Sequence, residues 1–351
     1  MKKGNWIHTI FNIIFSVILG AIGMYLFLGK QDKTISQIES IAVSKTTEEI
    51  SDFKDAINNI YDATVYIETQ SFKMRSSSSG SGFVYKKDDN YGYIITNYHV
   101  VEGSDDISIT FMDGSECSAE VIGMDEYSDI AILRVDVKYV LQVAKIGSSS
   151  NVTVGDTVFT VGAPMGKDFI GTITKGILSG KNRMVSVRIA TGEYLIETLQ
   201  TDASINSGNS GGPLCNIAGE VIGVNSSKLK GTGIEGMGFA IPIDNVITIL
   251  EDLEQGRKIS RPYLGVQMAD VYADNFEYGV MLVAVEQDMP ASDAGLKRGD
   301  VIVEIDGEQV KSSSYLRLYL YKHNINDKVK IKYYRDNEIK EAEITLSKTV
   351  D

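Results

Sequence analysis

"INSGNSGGPL", residues 205–214, sets Gly208, Gly211, Gly212 and Pro213 around Ser210. Glycine and proline at this density mark a tight turn. The same stretch also fits a serine held on a sharp loop with backbone N–H groups aimed at a reacting oxygen. The two readings part company on one point: whether the chain also supplies a base and an acid in the right order.

A serine hydroxyl is a poor nucleophile near neutral pH and needs a base within hydrogen-bond reach, itself oriented by a third group. Histidine is the usual base, because its pKa lies near the working pH. The chain has three histidines, His8, His99 and His323. His8 falls in an apolar N-terminal run and His323 near the end of a short helical pattern. His99, in "TNYHVV" (96–101), ends an apolar strand where active-site loops begin, although a lone histidine is more often a structural or merely solvated residue. Asp129, in "YSDIAILRV" (127–135), precedes a nearly uninterrupted apolar strand and alone would pass for a turn or cap residue. The order His99, Asp129, Ser210 is that of chymotrypsin-like enzymes and differs from the subtilisin and α/β-hydrolase orders. In that arrangement the first two come from one β-barrel and the serine from a second, with a cleft between. The backbone N–H groups of Gly208 and Ser210 then form the oxyanion hole, glycine being free to take the conformation required. Gly211 and Gly212 are expected to keep the space behind the nucleophile open.

At 351 residues the chain exceeds one ordinary domain, and 43% hydrophobic content is enough for real cores. With 33 glycines and 5 prolines it suits strands and turns better than a helix bundle, and a net charge of −13 argues against nucleic acid as a partner. Cys117 and Cys215 fall in different barrels and read as small buried hydrophobes, a disulfide being the alternative. No Cys/His cluster has metal-ligand spacing, so no metal is expected.

The run "WIHTIFNIIFSVILGAIGMYLFLG", residues 6–29, carries no charge and is span-length. Lys2 and Lys3 precede it, which places residues 1–5 in the cytoplasm and the remainder outside. A cleaved signal peptide is the competing reading, though no A-x-A-like site follows. Residues 30–49 read as a polar stalk. Ile50, Phe53, Ile57 and Ile60 then recur at helical spacing and lead into "ATVYIETQ", the first of many short apolar or alternating runs bounded by Gly, Asp, Asn or Ser. These predict a mainly β protein: a two-barrel, chymotrypsin/trypsin-like unit over 50–256. The first long helix is expected to start at Asp244 as N-cap and to end at Gly256. A linker over 257–262 precedes a second β-rich unit, 263–348, with short helices at "SDAGL" and "SSSYLRLYLYKH" and an Asp-Gly hairpin in "IDGEQV".

"TNYHVV", "SDIAILRV" and "TDASINSGNSGGPL", with "GSGFVY" before them and "GMGFAIPID" closing the unit, resemble the HtrA (Deg) family of trypsin-fold serine proteases. "RPYLGV" and "MPASDAGLKRGDVIVEIDG" resemble the PDZ domain that follows in that family. The resemblance covers about residues 50–348 and, with the N-terminal anchor, is closest to single-PDZ, signal-anchored members. It implies a triad of His99, Asp129 and Ser210, an oxyanion hole at Gly208 and Ser210, and cleavage of unfolded or misfolded extracytoplasmic proteins with no cofactor, neither ATP nor metal. Ser207 and Tyr98 depart from the family's usual residues, and Ser207 is expected to loosen the oxyanion loop. Trypsin-type enzymes carry an acid six residues before the nucleophile. Ser204 stands there, so Lys/Arg preference is not expected, and the family implies cleavage after small aliphatic residues. Ile205 and Asn225, Ser226, Ser227, Lys228 and Leu229 are expected to wall the pocket and to offer an edge strand for loose backbone pairing with substrate. N–H groups of Leu264, Gly265 and Val266 are expected to hold a peptide C-terminal carboxylate, with "YLGV" as a plain strand start the alternative. The family is typically trimeric, and Phe53 and Tyr61 are candidates for that contact. A chaperone or holdase with latent proteolysis, and a regulatory protease with one membrane-protein substrate, remain as alternatives.

Overall fold

The computed structural model describes residues 8, 10–27, 53–73, 75–189, 192–229, 236–272 and 277–348. The stalk, Ile50 and the extreme N-terminus lie outside them. The chain forms two compact units, Met1–Asp55 and Ala56–Asp351.

In the first, Ile10–Phe27 is an 18-residue helix of mean hydropathy 2.2 with none of its residues buried. At 1.5 Å per residue it extends about 27 Å, close to the thickness of a bilayer's hydrocarbon core. Its length and composition suffice to cross a membrane, and a signal sequence has the same properties.

The second unit begins with a seven-stranded antiparallel sheet in the order β5-β4-β1-β2-β3-β7-β6. Its strands are β1 (Thr64–Ser71), β2 (Ser76–Lys87), β3 (Tyr91–Thr96), β4 (Asp106–Thr110), β5 (Glu116–Ser118), β6 (Glu120–Asp125) and β7 (Ile130–Asp136). Alternating apolar positions on these strands, among them Val65, Ile67, Val84, Ile94, Ile109 and Leu133, meet Phe111 in one core. A closed barrel follows, in the order β10-β13-β12-β11-β8-β9. It is built from β8 (Thr157–Gly162), β9 (Thr172–Ile189), β10 (Gly192–Thr201), β11 (Pro213–Asn216), β12 (Val221–Asn225) and β13 (Gly238–Pro242). Both β12 and β13 are buried along their whole length, which explains why their sequences show no polar alternation.

The long helix runs Ile243–Glu254, and Gly256 past its end takes φ +65° as a left-handed stop. Asp244 is not its N-cap, because Pro242 occupies that position. The Asp244 carboxylate instead accepts from the Ser149 and Ser150 backbone N–H groups (3.1 and 2.8 Å), pinning the loop that precedes β8.

The C-terminal part is a sheet in the order β15-β16-β17-β19-β20, with β18 added beside β17. Its strands are β15 (Val266–Val271), β16 (Gly279–Val285), β17 (Val301–Ile305), β18 (Glu308–Gln309), β19 (Lys328–Arg335) and β20 (Glu338–Thr345), while β14 (Pro262–Tyr263) and β21 (Ser347–Lys348) pair as a separate two-stranded sheet. Asp306 (φ +47°) and Gly307 (φ +87°) make the tight turn read from "IDG". One-turn helix Pro290–Asp293 and helix Ser313–Leu320 cover this sheet, and Leu316 and Leu320 join Leu282, Ile302 and Ile331 in its core.

Two features escape the periodicity. β9 and β10 form a long hairpin, since "RMVSVRI" continues β9 to Ile189 despite its charged, interrupted pattern. Helix Ser313–Leu320 docks on it: Ser314 Oγ and Arg317 Nη1 donate to the Glu193 carbonyl (2.9 and 3.0 Å), and the Arg317 guanidinium lies 4.7 Å above the Tyr194 ring.

Candidate active site

Each element that ends at the cleft delivers one group. β3 runs into Asn97, whose side-chain amide donates to the Asp129 carbonyl (2.9 Å). The single helical turn Tyr98–Val101 follows, and its buried valines, Val100 and Val101, seat His99 at the sheet edge. Asp129 lies just ahead of β7 at φ +54°, left-handed backbone that costs a non-glycine residue of the order of 1 kcal/mol. It is 2% exposed. His99 Nδ1 lies 2.9 Å from each Asp129 carboxylate oxygen, and the His99 backbone N–H donates to Oδ1 (3.1 Å). Ser226 Oγ donates to the other oxygen, Oδ2 (2.9 Å). The acid is thus held on three sides and orients the imidazole through its Nδ1 edge, leaving Nε2 for chemistry.

Ser210 sits on the connection between β10 and β11. The Asn209 N–H donates to the Asn206 carbonyl (3.0 Å), closing a β-turn with Gly208 in third position at φ +98°. Positive φ there defines type II, whereas type I would need negative φ and turn the 207–208 peptide the other way. Ser207 sits at the second position of this closed turn. A Cβ at Gly208 would run into the Ala163 carbonyl, so space and dihedral both require glycine. Gly211 does not face open space, contrary to the sequence expectation. A Cβ there would collide with the Thr96 side chain and the Ser81 carbonyl, because the nucleophile turn is pressed against the first sheet.

Ser81 makes that joint and was not singled out in the sequence. From β2 it donates its N–H to the Ser210 carbonyl (2.8 Å) and its hydroxyl to the Gly208 carbonyl (2.6 Å). These bonds hold the 208–209 and 210–211 peptide units, whose N–H groups donate to the Asn206 and Asn225 carbonyls (3.0 and 2.8 Å). A serine closing the serine-rich stretch 76–81 offers no sequence signal beyond its place in "GSGF".

The Ser210 hydroxyl itself points elsewhere than the imidazole. Its Oγ is 2.6 Å from Ser227 Oγ and accepts the Ser227 backbone N–H (3.0 Å). Among the hydrogen bonds of the described residues none joins Ser210 Oγ to His99.

A 320 Å³ cavity opens beside the turn, lined by Ser204, Ile205 and Asn206 and by Gly236, Met237 and Gly238. Ile205 is where the sequence placed it, and Met237 is an addition. Among the described residues no charged side chain lines it. The residues 225–229 are less uniform than expected. Asn225 commits its side-chain amide to Thr160 Oγ1 (2.6 Å) inside the barrel. Ser226 serves Asp129, Lys228 is exposed, and Leu229 is buried. Ser227–Leu229 is a 3₁₀ turn, not the extended edge strand expected.

Leu264 and Gly265 connect β14 to β15, whose first residue is Val266, with Gly265 at φ +77°. The Leu264 and Gly265 carbonyls accept from Ala291 and Glu286 N–H groups (both 2.9 Å), so both acceptors face the domain. β15 is the terminal strand of its sheet and packs beside helix Ser313–Leu320.

Comparison with known proteins agrees with this geometry. A trypsin-like peptidase domain matches residues 80–224 and a PDZ domain matches residues 262–346. The chain is 42% identical over 294 residues to a serine protease Do-like HtrA of Lactococcus lactis subsp. lactis, covering 79% of this chain and 72% of that one. It is 38% identical over 326 residues to a serine protease Do-like HtrA of Bacillus subtilis, covering 86% and 73%. Among solved structures, the HtrA-type protease AlgW with decapeptide superposes with a TM-score of 0.67 at 26% identity, covering 85% of this chain and 99% of that one. A serine endoprotease from Yersinia pestis gives 0.64 at 29%, covering 85% and 98%. By sequence, by fold and by the way its cleft is assembled, the chain belongs to the Do-like HtrA family of serine proteases, a serine endopeptidase whose trypsin-like domain is followed by one PDZ domain.

Proposed function

We propose that this protein is a membrane-anchored, ATP-independent endopeptidase that degrades unfolded or misfolded proteins outside the cytoplasm. Residues 6–29 anchor it, 30–49 form a stalk, 50–256 the protease domain, 257–262 the linker and 263–348 the PDZ domain. The observation that carries the catalytic reading is the oriented His99–Asp129 pair, joined to Ser210 through the adjacent Ser226 and Ser227, with a type II turn at Gly208. Ser210 attacks the scissile carbonyl while His99 takes its proton, and Asp129 stabilises the imidazolium that forms. The Gly208 and Ser210 N–H groups receive the oxyanion. His99 then protonates the leaving amine, and water repeats the sequence on the acyl-enzyme.

The cavity walled by Ile205 and Met237, with no charged side chain among its described lining residues, favours a small aliphatic residue before the cut bond. The Leu264–Gly265 connection and the edge position of β15, which starts at Val266, suit capture of a peptide C-terminus by strand addition. Trimer formation through Phe53 and Tyr61 belongs to this reading by family likeness.

A second reading, a holdase with latent proteolysis, is favoured by one observation: the Ser210 hydroxyl is engaged by Ser227 and not by His99. One experiment separates them. Full-length protein in detergent micelles is incubated with a reduced, unfolded protein without ATP or metal, beside its Ser210→Ala form. Cleavage by the first alone, with fragments ending in small aliphatic residues, is the expected result. Equal protection from aggregation by both forms with no cleavage by either, even with added C-terminal peptides, establishes the holdase. Alkaline extraction of membranes tests the anchor: release of the full-length chain into the soluble fraction overturns it.

A further inference from the structure

Two neighbouring serines act on opposite ends of the catalytic constellation. Ser226 holds the acid, through its hydroxyl on Asp129 Oδ2. Ser227 holds the nucleophile, with its N–H and its hydroxyl both on Ser210 Oγ (3.0 and 2.6 Å). Everything else is in place: the His99–Asp129 contact is made, and Gly208 is in the type II conformation. One link is not made, Ser210 to His99, and a Ser210 side chain released from Ser227 is free to take another staggered rotamer.

What keeps Ser227 in position is the local backbone. Ser226 N–H still donates to the Phe239 carbonyl (3.0 Å), the last pairing between the β12 chain and β13. Immediately after it, Ser227–Leu229 coils into a 3₁₀ turn. A 3₁₀ turn rises about 2 Å per residue and a strand about 3.3 Å. A peptide that pairs with this segment must therefore draw it out, and extension carries Ser227 away from Ser210.

We propose that Ser227 is a positioning residue that withholds the Ser210 hydroxyl from His99 until an extended peptide pairs with residues 226–229. The inference rests on Ser210 being the nucleophile. It makes the resting enzyme slow toward small reagents and fast toward extended chains, using a contact within the protease domain alone.

Phenylmethanesulfonyl fluoride is the test reagent, because it is too short to pair with residues 226–229. It reacts by forming a Ser210 Oγ–sulfur bond as the sulfur–fluorine bond breaks; fluoride leaves and the hydroxyl proton passes to His99. In the full-length protein, Ser227→Ala removes one of the two contacts and should be sulfonylated about 3- to 10-fold faster than wild type, the range that a single neutral hydrogen bond spans. Ser227→Thr keeps the hydroxyl and should react at the wild-type rate. Ser227→Cys, a weak donor of similar volume, should fall between and serves if the alanine variant does not fold. The acceleration should shrink when the readout is kcat on a peptide long enough to pair with the segment. Wild-type or slower sulfonylation of Ser227→Ala, or equal acceleration on reagent and long peptide, overturns the proposal. Sulfonylation of Ser210→Ala at the wild-type rate would overturn the nucleophile assignment instead, so the two failures are distinguishable.

Discussion

Arg261 holds Asp125 through two parallel hydrogen bonds, Nη1 to Oδ1 at 2.8 Å and Nη2 to Oδ2 at 2.6 Å. The pair joins the segment after the long helix to the turn that carries Asp129. Asp125 also accepts the Ser128 N–H (2.7 Å), one residue before Asp129. Arg261 lies 4.5 Å above the Tyr127 ring, and Tyr127 meets Tyr194 and Tyr321 edge-on at 5.0 and 4.8 Å. A segment that reads as a polar linker is thus a joint between protease and PDZ domains.

Loss of Arg261 leaves a mostly buried carboxylate unpaired, and Arg261→Ala should cost about 3 kcal/mol of stability. The pH dependence has a definite sign. Burial pulls the Asp125 carboxyl upward, but the Arg261 hydrogen bonds and charge, with Ser128, outweigh it and hold the pKa below the ordinary value. A depressed carboxylate contributes fully above its unfolded pKa of about 3.9 and loses that contribution as pH falls through the folded value. The difference in Tm between wild type and Arg261→Ala should be constant from neutral pH to about 5 and shrink below about 4. A difference that grows on acidification contradicts the assignment.

Gly208→Ala tests the oxyanion turn. Alanine resists φ +98° and meets the Ala163 carbonyl, so the 207–208 peptide must rotate and remove one donor. Loss of such a donor lowers kcat by about 10²- to 10³-fold. The peptidase assay should show that loss in kcat with KM little changed. A kcat within a few-fold of wild type would mean that Gly208 N–H does not serve the oxyanion.

How far the sequence reached follows from what each signal depends on. His99, Asp129 and Ser210 were legible because triad chemistry restricts residue type and chain order, and the structure brings His99 and Asp129 into direct contact. Strands such as β7, "IAILRVD", were legible because burial writes itself as apolar runs. The second half of β9 was not, since it projects from the barrel and its charged side chains are solvated. The edge strand expected at 225–229 was wrong as a backbone state, because apolar and polar residues there are equally compatible with strand and 3₁₀ turn. Ser81 and Arg261 act by hydrogen bonds to partners far along the chain, at Gly208 and Asp125, and no local pattern encodes those.

Ser226→Ala probes the acid's support. The hydroxyl is fully buried and donates to Asp129 Oδ2 at 2.9 Å. Hydrogen bonds to charged groups are worth about 1.5–3 kcal/mol, so kcat should fall by roughly 10- to 100-fold. Its neighbour Ser227 is expected to respond with the opposite sign toward the small sulfonylating reagent. Parallel loss in both variants would indicate a common structural effect on residues 226–227.

Pocket chemistry can be rewritten at Ser204. Its carbonyl is fixed by Thr174 Oγ1 (3.0 Å) and Asn209 Nδ2 (3.2 Å), while its side chain lines the 320 Å³ cavity and is exposed. An acid placed there stays hydrated in the free enzyme and costs little stability. In the complex it meets a Lys or Arg side chain as a charge-assisted partner and leaves an aliphatic side chain facing a desolvated carboxylate. Ser204→Asp should therefore raise kcat/KM for Lys or Arg peptides relative to Val peptides by about 10- to 100-fold, the span of one such hydrogen bond. Fragment ends from an unfolded substrate read the change directly. Unaltered ends with retained activity would place the specificity pocket elsewhere than the cavity walled by Ile205 and Met237.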